Sequence, residues 1–191
     1  MPSSAHAQPL FRALSSLALL GLAACASTHG ASMSSDAFNP RAVAWSTGTG
    51  NNALSGTAIL ATNTGETKTC AGLEVRLVPD APYTRDRISL LYGTTDEGFV
   101  DAAEARRVQA HSDAAVDPAY KRSHKVALCD AKGRFAFANL PDGSYYVLAP
   151  VVWSTRGGKS TDGGFMMRHV SLAGGETRHL SMTPQTRVSS R

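Results

Sequence analysis

The stretch 126–153, VALCDAKGRFAFANLPDGSYYVLAPVVW, constrains the fold more than any other part of the chain. It predicts three strands joined by tight turns at residues 130–133 and 141–143. Asp, Pro and Gly in those turns supply the backbone angles that reverse a chain within a few residues. Between the turns, Phe135 and Phe137 alternate with small or charged side chains, which places both rings on one buried face.

Alternation outside this stretch predicts four more strands, at 54–62, 73–78, 165–172 and 177–182. In the strand 73–78, Leu73, Val75 and Leu77 are expected to face the core, and Glu74, Arg76 and Val78 to face the other way. Seven short strands separated by turn signals favour an antiparallel β-sandwich. The predicted fold class is therefore all-β, with one domain over residues 54–183.

The pattern from Cys129 to Val147, Cys-Asp-Ala-x-Gly-Arg-Phe-x-Phe-x-x-Leu-Pro-x-Gly-x-Tyr-x-Val, resembles the bacterial carboxypeptidase regulatory-like domain. The resemblance extends over roughly Ser55 to Thr183. It implies a seven-stranded, prealbumin-like (transthyretin-like) β-sandwich that is similar in layout to starch-binding modules. It also implies a non-enzymatic role, since domains of this family are mostly attachments on other proteins.

Residues 80–124 interrupt the β pattern with helix-forming segments, for which Thr84 and Asp101 are candidate N-caps. Inserts of this length within a compact domain are usually functional or partly disordered. We therefore expect binding specificity in this partly helical insert. The candidate binding residues are Tyr83, Arg85, Arg87 and Tyr92 of the insert, together with Trp153 of the strand after the second turn.

Residues 1–24 have the layout of an export signal, with an apolar run that ends in small residues. The sequence Leu-Ala-Ala-Cys at 22–25 resembles a bacterial lipobox, in which Cys25 is acylated and becomes the first residue. The resemblance implies an outer-membrane lipoprotein facing the periplasm; an ordinary secreted protein is the alternative. Residues 25–53 are expected to be the lipidated cysteine and a flexible tether, although Phe38 and Trp45 could instead dock on the domain. Residues 184–191 are expected to be a polar tail.

Cys70 and Cys129 remain once Cys25 is lipidated, and an even pair in an exported domain favours a disulfide. The alternative, two free thiols or a metal pair, lacks supporting ligands nearby. An iron site like that of intradiol dioxygenases would use tyrosines and histidines, but the candidates form no closely spaced set: His111, His124, His169, His179, Tyr83, Tyr120, Tyr145 and Tyr146. His169 and His179 are expected to be solvent-facing strand residues. No cofactor is expected.

The charges, 19 Lys and Arg against 15 Asp and Glu, are interspersed without a basic run, which argues against a nucleic-acid partner. The sequence therefore favours a non-catalytic binding or structural module, anchored to the membrane by lipid, with an envelope protein or a polysaccharide as partner. Carbohydrate binding is the alternative, because Trp153, Tyr145 and Tyr146 could stack on sugar rings if they are exposed. An enzyme with a transthyretin-like fold ranks third.

Overall fold

The structure is a computed structural model that describes residues 37–62, 64–111, 116–155, 157–158 and 160–184. The predicted signal, Cys25 and nearly all of the polar tail lie outside these residues. The strands are β1 (Asn52–Ala61), β2 (Thr67–Thr69), β3 (Glu74–Pro79), β4 (Glu97–Asp101), β5 (Lys125–Leu128), β6 (Arg134–Leu140), β7 (Gly143–Ser154), β8 (Thr161–Leu172) and β9 (Thr177–Met182). The helices are a 3₁₀ helix (Pro40–Thr47), α1 (Pro82–Tyr92), α2 (Ala102–His111) and α3 (Pro118–Arg122).

The first sheet is built around β1. Strand β9 pairs with it in parallel, whereas β6 and β2 pair with it in antiparallel fashion. Strands β6 and β2 use the same edge of β1 in succession: the N–H of Ala58 donates to the Gly133 carbonyl, and the Ala58 carbonyl accepts from the N–H of Cys70. The second sheet has the order β4-β8-β7-β3-β5 and is antiparallel throughout.

The two sheets enclose one hydrophobic core, to which β1, β3, β6, β7, β8 and β9 contribute alternate residues. Phe135 and Phe137 are 3% and 7% exposed, whereas Arg134 and Ala136 between and beside them are exposed. The face predicted for this strand is therefore confirmed. The all-β sandwich is confirmed as well, but with nine strands in the described residues instead of seven. Strands β2 and β4 are the additional ones.

A second apolar cluster lies on the outer face of the five-stranded sheet, beneath the helices. It contains Phe38, Val43, Val78, Ala81, Ile88, Tyr92, Val100, Ala105, Tyr120, Tyr146 and Met167. Val78 shares a face with Glu74 and Arg76, as the alternation predicts, but this face is not open at Val78, which is fully buried. The helices cover the half of the face that holds Val78 and leave Glu74 and Arg76 exposed.

The residues before β1 pack on the domain, which is the alternative that the sequence left open. The 3₁₀ helix begins at Pro40, and Asn39 caps it by accepting a hydrogen bond from the Arg41 N–H at 3.0 Å. Phe38 is 6% exposed and contacts the rings of Tyr83 and Tyr120. Residues 38–53 therefore belong to the folded domain and not to a flexible tether.

The insert 80–124 contains all three α-helices and β4. Asp101 caps α2, because its Oδ1 accepts from the N–H groups of Ala103 and Glu104 at 3.0 and 2.8 Å. The other expected cap is wrong: Thr84 lies inside α1, is fully buried and donates its hydroxyl to the Pro79 carbonyl at 3.0 Å. Helix α1 begins earlier because Pro82, with its preset φ, takes the first helical position.

Candidate functional site

A groove of about 710 Å³ lies on the outer face of the five-stranded sheet, between the sheet and the helices α1 and α2. Its floor consists of Leu148, Pro150 and Val152 of β7 and Phe165 of β8. The helices and the remaining strand ends form its walls and rim. These lining residues are Gly72, Leu73, Glu74, Arg76, Leu91, Tyr92, Ala102, Ala105, Arg106, Gln109 and Thr161.

The groove follows from the local sequence patterns. Residues 148, 150 and 152 alternate with the core residues Val147, Ala149 and Val151, so β7 is apolar on both faces. On α2, residues 102, 105, 106 and 109 fall on one helical face, because they follow the spacing i, i+3, i+4 and i+7. The apolar outer face of β7 and one stripe of α2 thus line the same groove.

Arg106 is fixed in the wall of the groove by two backbone carbonyls. Its Nε donates to the Ala102 carbonyl at 3.1 Å, and its Nη2 donates to the Thr161 carbonyl at 3.0 Å. These bonds link α2 to the first residue of β8. Among the described residues, no carboxylate forms an ion pair with Arg106. Two of its five N–H donors are occupied by these carbonyls, so other donors remain for a ligand.

The other two charges of the groove belong to one pair. Glu74 and Arg76 of β3 point to the same face, and their carboxylate and guanidinium lie 3.4 Å apart. Both side chains are about half exposed, so solvent weakens this ion pair. The groove thus combines an apolar floor with a polar rim whose formal charges sum to one positive charge.

Two apolar residues of the edge strand β5, Val126 and Leu128, lie beyond the Glu74–Arg76 pair on the same outer face. Val126 is paired in register with Arg76, and Leu128 with Glu74, so all four side chains share the outer face. Val126 and Leu128 are 52% and 69% exposed, which makes them two of the three large apolar residues exposed in the described part of the chain. An extended ligand could therefore pass from the groove onto β5.

Of the residues predicted to bind, Tyr92 lines the groove, although it is only 6% exposed. Burial raises the pKa of Tyr92 far above its ordinary value, so its hydroxyl stays neutral. Trp153 does not line the groove. It packs against Gly163, where an added Cβ would lie 2.7 Å from the Trp153 ring.

Tyr83 and Arg87 lie in an aromatic cluster on α1 and α3. The rings of Tyr83 and Tyr120 have centroids 5.0 Å apart, and the Arg87 guanidinium lies over both rings, at 5.7 and 5.9 Å. Burial is the main cause that raises the pKa of Tyr120 to about 12. The cluster packs Phe38 and the insert onto the sheet. Tyr83 and Arg87 therefore have a structural role, which is to hold this layer together.

Arg85 pairs with Asp80 at the start of α1, with 2.8 Å between Nε and Oδ1. The other carboxylate oxygen of Asp80 lies 3.1 Å from Nε2 of His169. His169 was expected to face solvent, but its side chain is 28% exposed and packs against the Tyr146 ring. Burial and the nearby Asp80 carboxylate raise the pKa of Tyr146. The contacts of Asp80 with Arg85 and His169 thus connect α1 to β8.

His124 stands beside this helical layer, with its ring edge-on to Tyr120 at 4.5 Å. Its Nε2 is buried and has no hydrogen-bond partner among the described residues. Burial, followed by the charges of Arg76 and Arg87, lowers the pKa of His124 to about 4. The neutral imidazole is thus the form that the fold accommodates.

A second, shallower depression of about 600 Å³ lies where the two sheets meet, along β5 and β6. It contains a contact between Ser55 Oγ and His179 Nδ1 at 3.1 Å and the Arg134–Asp130 ion pair. His179 is exposed, as expected. No acidic group in the described residues orients its ring, and Arg134 is neutralised by Asp130. This surface offers fewer free recognition groups than the groove.

Tyr145 and Tyr146, two of the three aromatics considered for sugar stacking, are each 1% exposed. The Tyr145 hydroxyl donates to the Pro141 carbonyl at 3.1 Å, and its pKa is raised to about 12, mainly by burial. The described residues therefore do not present the row of exposed aromatics that this prediction needed. They also contain no cluster of three or more His, Cys, Asp or Glu that could hold a metal, and no helix long and apolar enough to cross a bilayer.

Cys70 and Cys129 form the predicted disulfide, with Cα atoms 5.7 Å apart. Backbone hydrogen bonds reinforce the junction, because the N–H of Gly72 donates to the Cys129 carbonyl and the N–H of Cys129 donates to the Leu73 carbonyl. The bridge thus joins the segments that flank the insert, next to one end of the groove.

One solved structure shares this architecture. The crystal structure of a "putative carbohydrate binding protein" from Pseudomonas aeruginosa superimposes with a TM-score of 0.60 at 24% identity, over 76% of this chain and 97% of that one. A minor pilin from Streptococcus agalactiae matches with a TM-score of 0.33 at 18% identity, over 77% of this chain and 49% of that one. No family model and no curated protein matches. The fold is therefore shared with the Pseudomonas aeruginosa protein.

Proposed function

We propose that this protein is a non-catalytic binding module of the cell envelope and that it takes a saccharide in the groove between β7 and α2. The observation that carries the proposal is the pairing of an apolar floor, formed by Leu148, Pro150 and Val152, with the polar groups of Arg106 and Gln109. Ligand sites of small molecules are mostly apolar, contain a few placed polar groups and measure roughly 300–1,000 Å³. The groove has these properties.

A saccharide suits such a groove because a sugar ring has an apolar face and a rim of hydroxyls. The floor side chains would contact the ring, and the Gln109 amide, the Glu74 carboxylate and the Thr161 backbone and hydroxyl would bond to the hydroxyls. The name of the Pseudomonas aeruginosa protein with the same fold supports the same ligand class. The described residues do not present the exposed aromatic row of a starch-binding module, so aliphatic contacts would replace stacking.

The location in the proposal is the periplasmic side of the outer membrane, with Cys25 as the lipidated residue. Its support is the sequence of the leader, which lies outside the described residues. Acyl chains contribute about 0.8 kcal/mol per buried methylene, so two or three chains hold a protein stably at a membrane. An anchored module with an open groove could hold an envelope polysaccharide near the membrane.

The binding proposal is tested with a panel of neutral and acidic oligosaccharides and three forms of the protein. Val152→Trp fills the floor of the groove, whereas Ser181→Trp adds the same side chain to the exposed face of β9. We expect the natural protein to bind at least one saccharide, Val152→Trp to bind it at least about tenfold more weakly, and Ser181→Trp to bind it normally. Matching melting temperatures would show that both variants fold. Absence of binding across the panel, or equal binding by both variants, would contradict the proposal.

A further inference from the structure

We infer that the groove selects saccharides that carry a carboxylate, and that Arg106 recognises this group. The ligand class is a chain of uronic-acid units, in which each ring offers an apolar face and a planar anion. The inference rests on the proposed function, since it names the kind of saccharide that the same groove takes.

The Arg106 guanidinium is held in place and has donors available for a ligand. A guanidinium has five N–H donors, and two of these are occupied by the Ala102 and Thr161 carbonyls. These two bonds hold the planar group in place before any ligand arrives, so binding has less side-chain motion to arrest. Carbonyls carry no net charge, so among the described residues no carboxylate compensates the positive charge of Arg106. A carboxylate can take two parallel hydrogen bonds from such a group.

The charge balance of the groove also favours an anion. The charged residues that line the groove are Glu74, Arg76 and Arg106. The Glu74 carboxylate lies 3.4 Å from the guanidinium of Arg76, its neighbour on β3. Its negative charge therefore compensates Arg76 and not Arg106 on α2. A neutral sugar would gain only hydrogen bonds from Arg106, whereas an anionic sugar would also neutralise it. The groove is therefore complementary to one negative charge beside an apolar ring.

The outer face of the sheet indicates the length of the ligand. It runs from Val152 and Leu148 of the groove, across the exposed Glu74–Arg76 pair of β3, to Val126 and Leu128 at the edge strand β5. A single sugar would leave the β5 end of this surface uncovered. An internal segment of a polymer could lie along it, with one carboxylate at Arg106 and its following units over β5.

The experiment compares an oligogalacturonate with its fully methyl-esterified form, which has the same rings and linkages but no charge. Calorimetric titration should give at least about tenfold tighter binding for the acid form, since hydrogen bonds to charged groups stabilise by roughly 1.5–3 kcal/mol. Added salt should weaken the binding of the acid and leave the ester unchanged. Arg106→Gln should remove the preference for the acid, and Arg106→Lys should keep part of it. The control Arg41→Gln changes an exposed residue outside the groove and should keep the whole preference.

The outcomes separate this inference from the proposed function. Equal affinity for acid and ester overturns the role of Arg106 and leaves saccharide binding standing. Equal weakening of both forms by Arg106→Gln, together with a lower melting temperature, would show that Arg106 only supports the wall, which also overturns the inference. If neither form binds, the uronate assignment is wrong, and the saccharide panel with Val152→Trp decides the proposed function separately.

Discussion

Trp45 packs edge-on against Tyr145, with ring centroids 5.1 Å apart and an interplanar angle of 65°. The Trp45 ring also covers Gly143, where an added Cβ would lie 2.2 Å from it, and the Trp45 indole N–H donates to the Ala42 carbonyl at 3.1 Å. These contacts fasten the 3₁₀ helix to the start of β7. The residues before β1 thus contribute to the stability of the sandwich.

Replacement of Trp45 by alanine tests this contribution. We expect Trp45→Ala to lower the free energy of unfolding by about 2 kcal/mol, because the half-buried ring loses its contacts with Tyr145 and Gly143. Arg41→Ala, an exposed position in the same helix, should change it by less than about 0.5 kcal/mol. Urea unfolding measures both values. Equal stability of the two variants would show that the 3₁₀ helix is not part of the cooperative fold.

Reduction of the disulfide should lower the melting temperature by several degrees. The two cysteines are 59 residues apart, and closing a loop of that length stabilises by about 4 kcal/mol on the chain-entropy model. Thiol labelling of the denatured, unreduced Cys25→Ser protein should find no reactive cysteine, and labelling after reduction should find two. Two reactive thiols before reduction would rule out the bridge between Cys70 and Cys129.

His124 should make the fold sensitive to mild acid. Its pKa of about 4 in the folded state lies below its ordinary value of about 6.5, so the unfolded chain takes up a proton first as the pH falls. Stability is therefore complete above about pH 6.5 and decreases as the pH is lowered toward about 4. Melting temperatures at about pH 7.5 and about pH 5 should differ less for His124→Gln than for the natural protein or the exposed-site control His179→Gln. The same difference in all three proteins would contradict a buried neutral His124.

Lipidation predicts a defined result for Cys25→Ser. The serine hydroxyl cannot form the thioether with diacylglycerol, so the protein should leave the membrane fraction or remain uncleaved. Detergent fractionation and the mass of the mature protein measure both effects. Cys70→Ala with Cys129→Ala, which leaves the leader intact, is the control and should remain in the membrane fraction. Unchanged partitioning and processing of Cys25→Ser would contradict the anchor.

The strands near the hairpins were predictable because one face of each must meet the core. Phe135 and Phe137 show this, since a two-residue period assigns them one face without knowledge of their neighbours. Val78 shows what a two-residue period alone cannot predict. Its environment depends on helices that lie elsewhere in the sequence, and no local period indicates which half of a sheet they cover. Strands β2 and β4 were missed because three to five residues contain too little alternation to distinguish a strand from a loop.

The groove could be predicted only in part. The insert contributes Tyr92, Ala105 and Arg106 to the wall of the groove, and its role in specificity stays a prediction. One signal was present in the sequence: β7 is apolar on both faces around Leu148, Pro150 and Val152, as in a strand covered on both sides. Arg106 carried no signal, because its importance depends on two carbonyls and on the absence of a described acidic partner.

The groove itself is best tested by amide chemical-shift mapping on isotope-labelled protein, titrated with the saccharide that binds most tightly in the panel. The expected result is that the shifted amides cluster in residues 102–109, 148–152 and 161–165, which line or flank the groove and not the other depression. Amides of β9 and of the exposed face of β1 should remain unchanged and serve as the internal control. Shifts centred on Ser55, Arg134 and His179 would contradict the account, since they would place the ligand in the other depression.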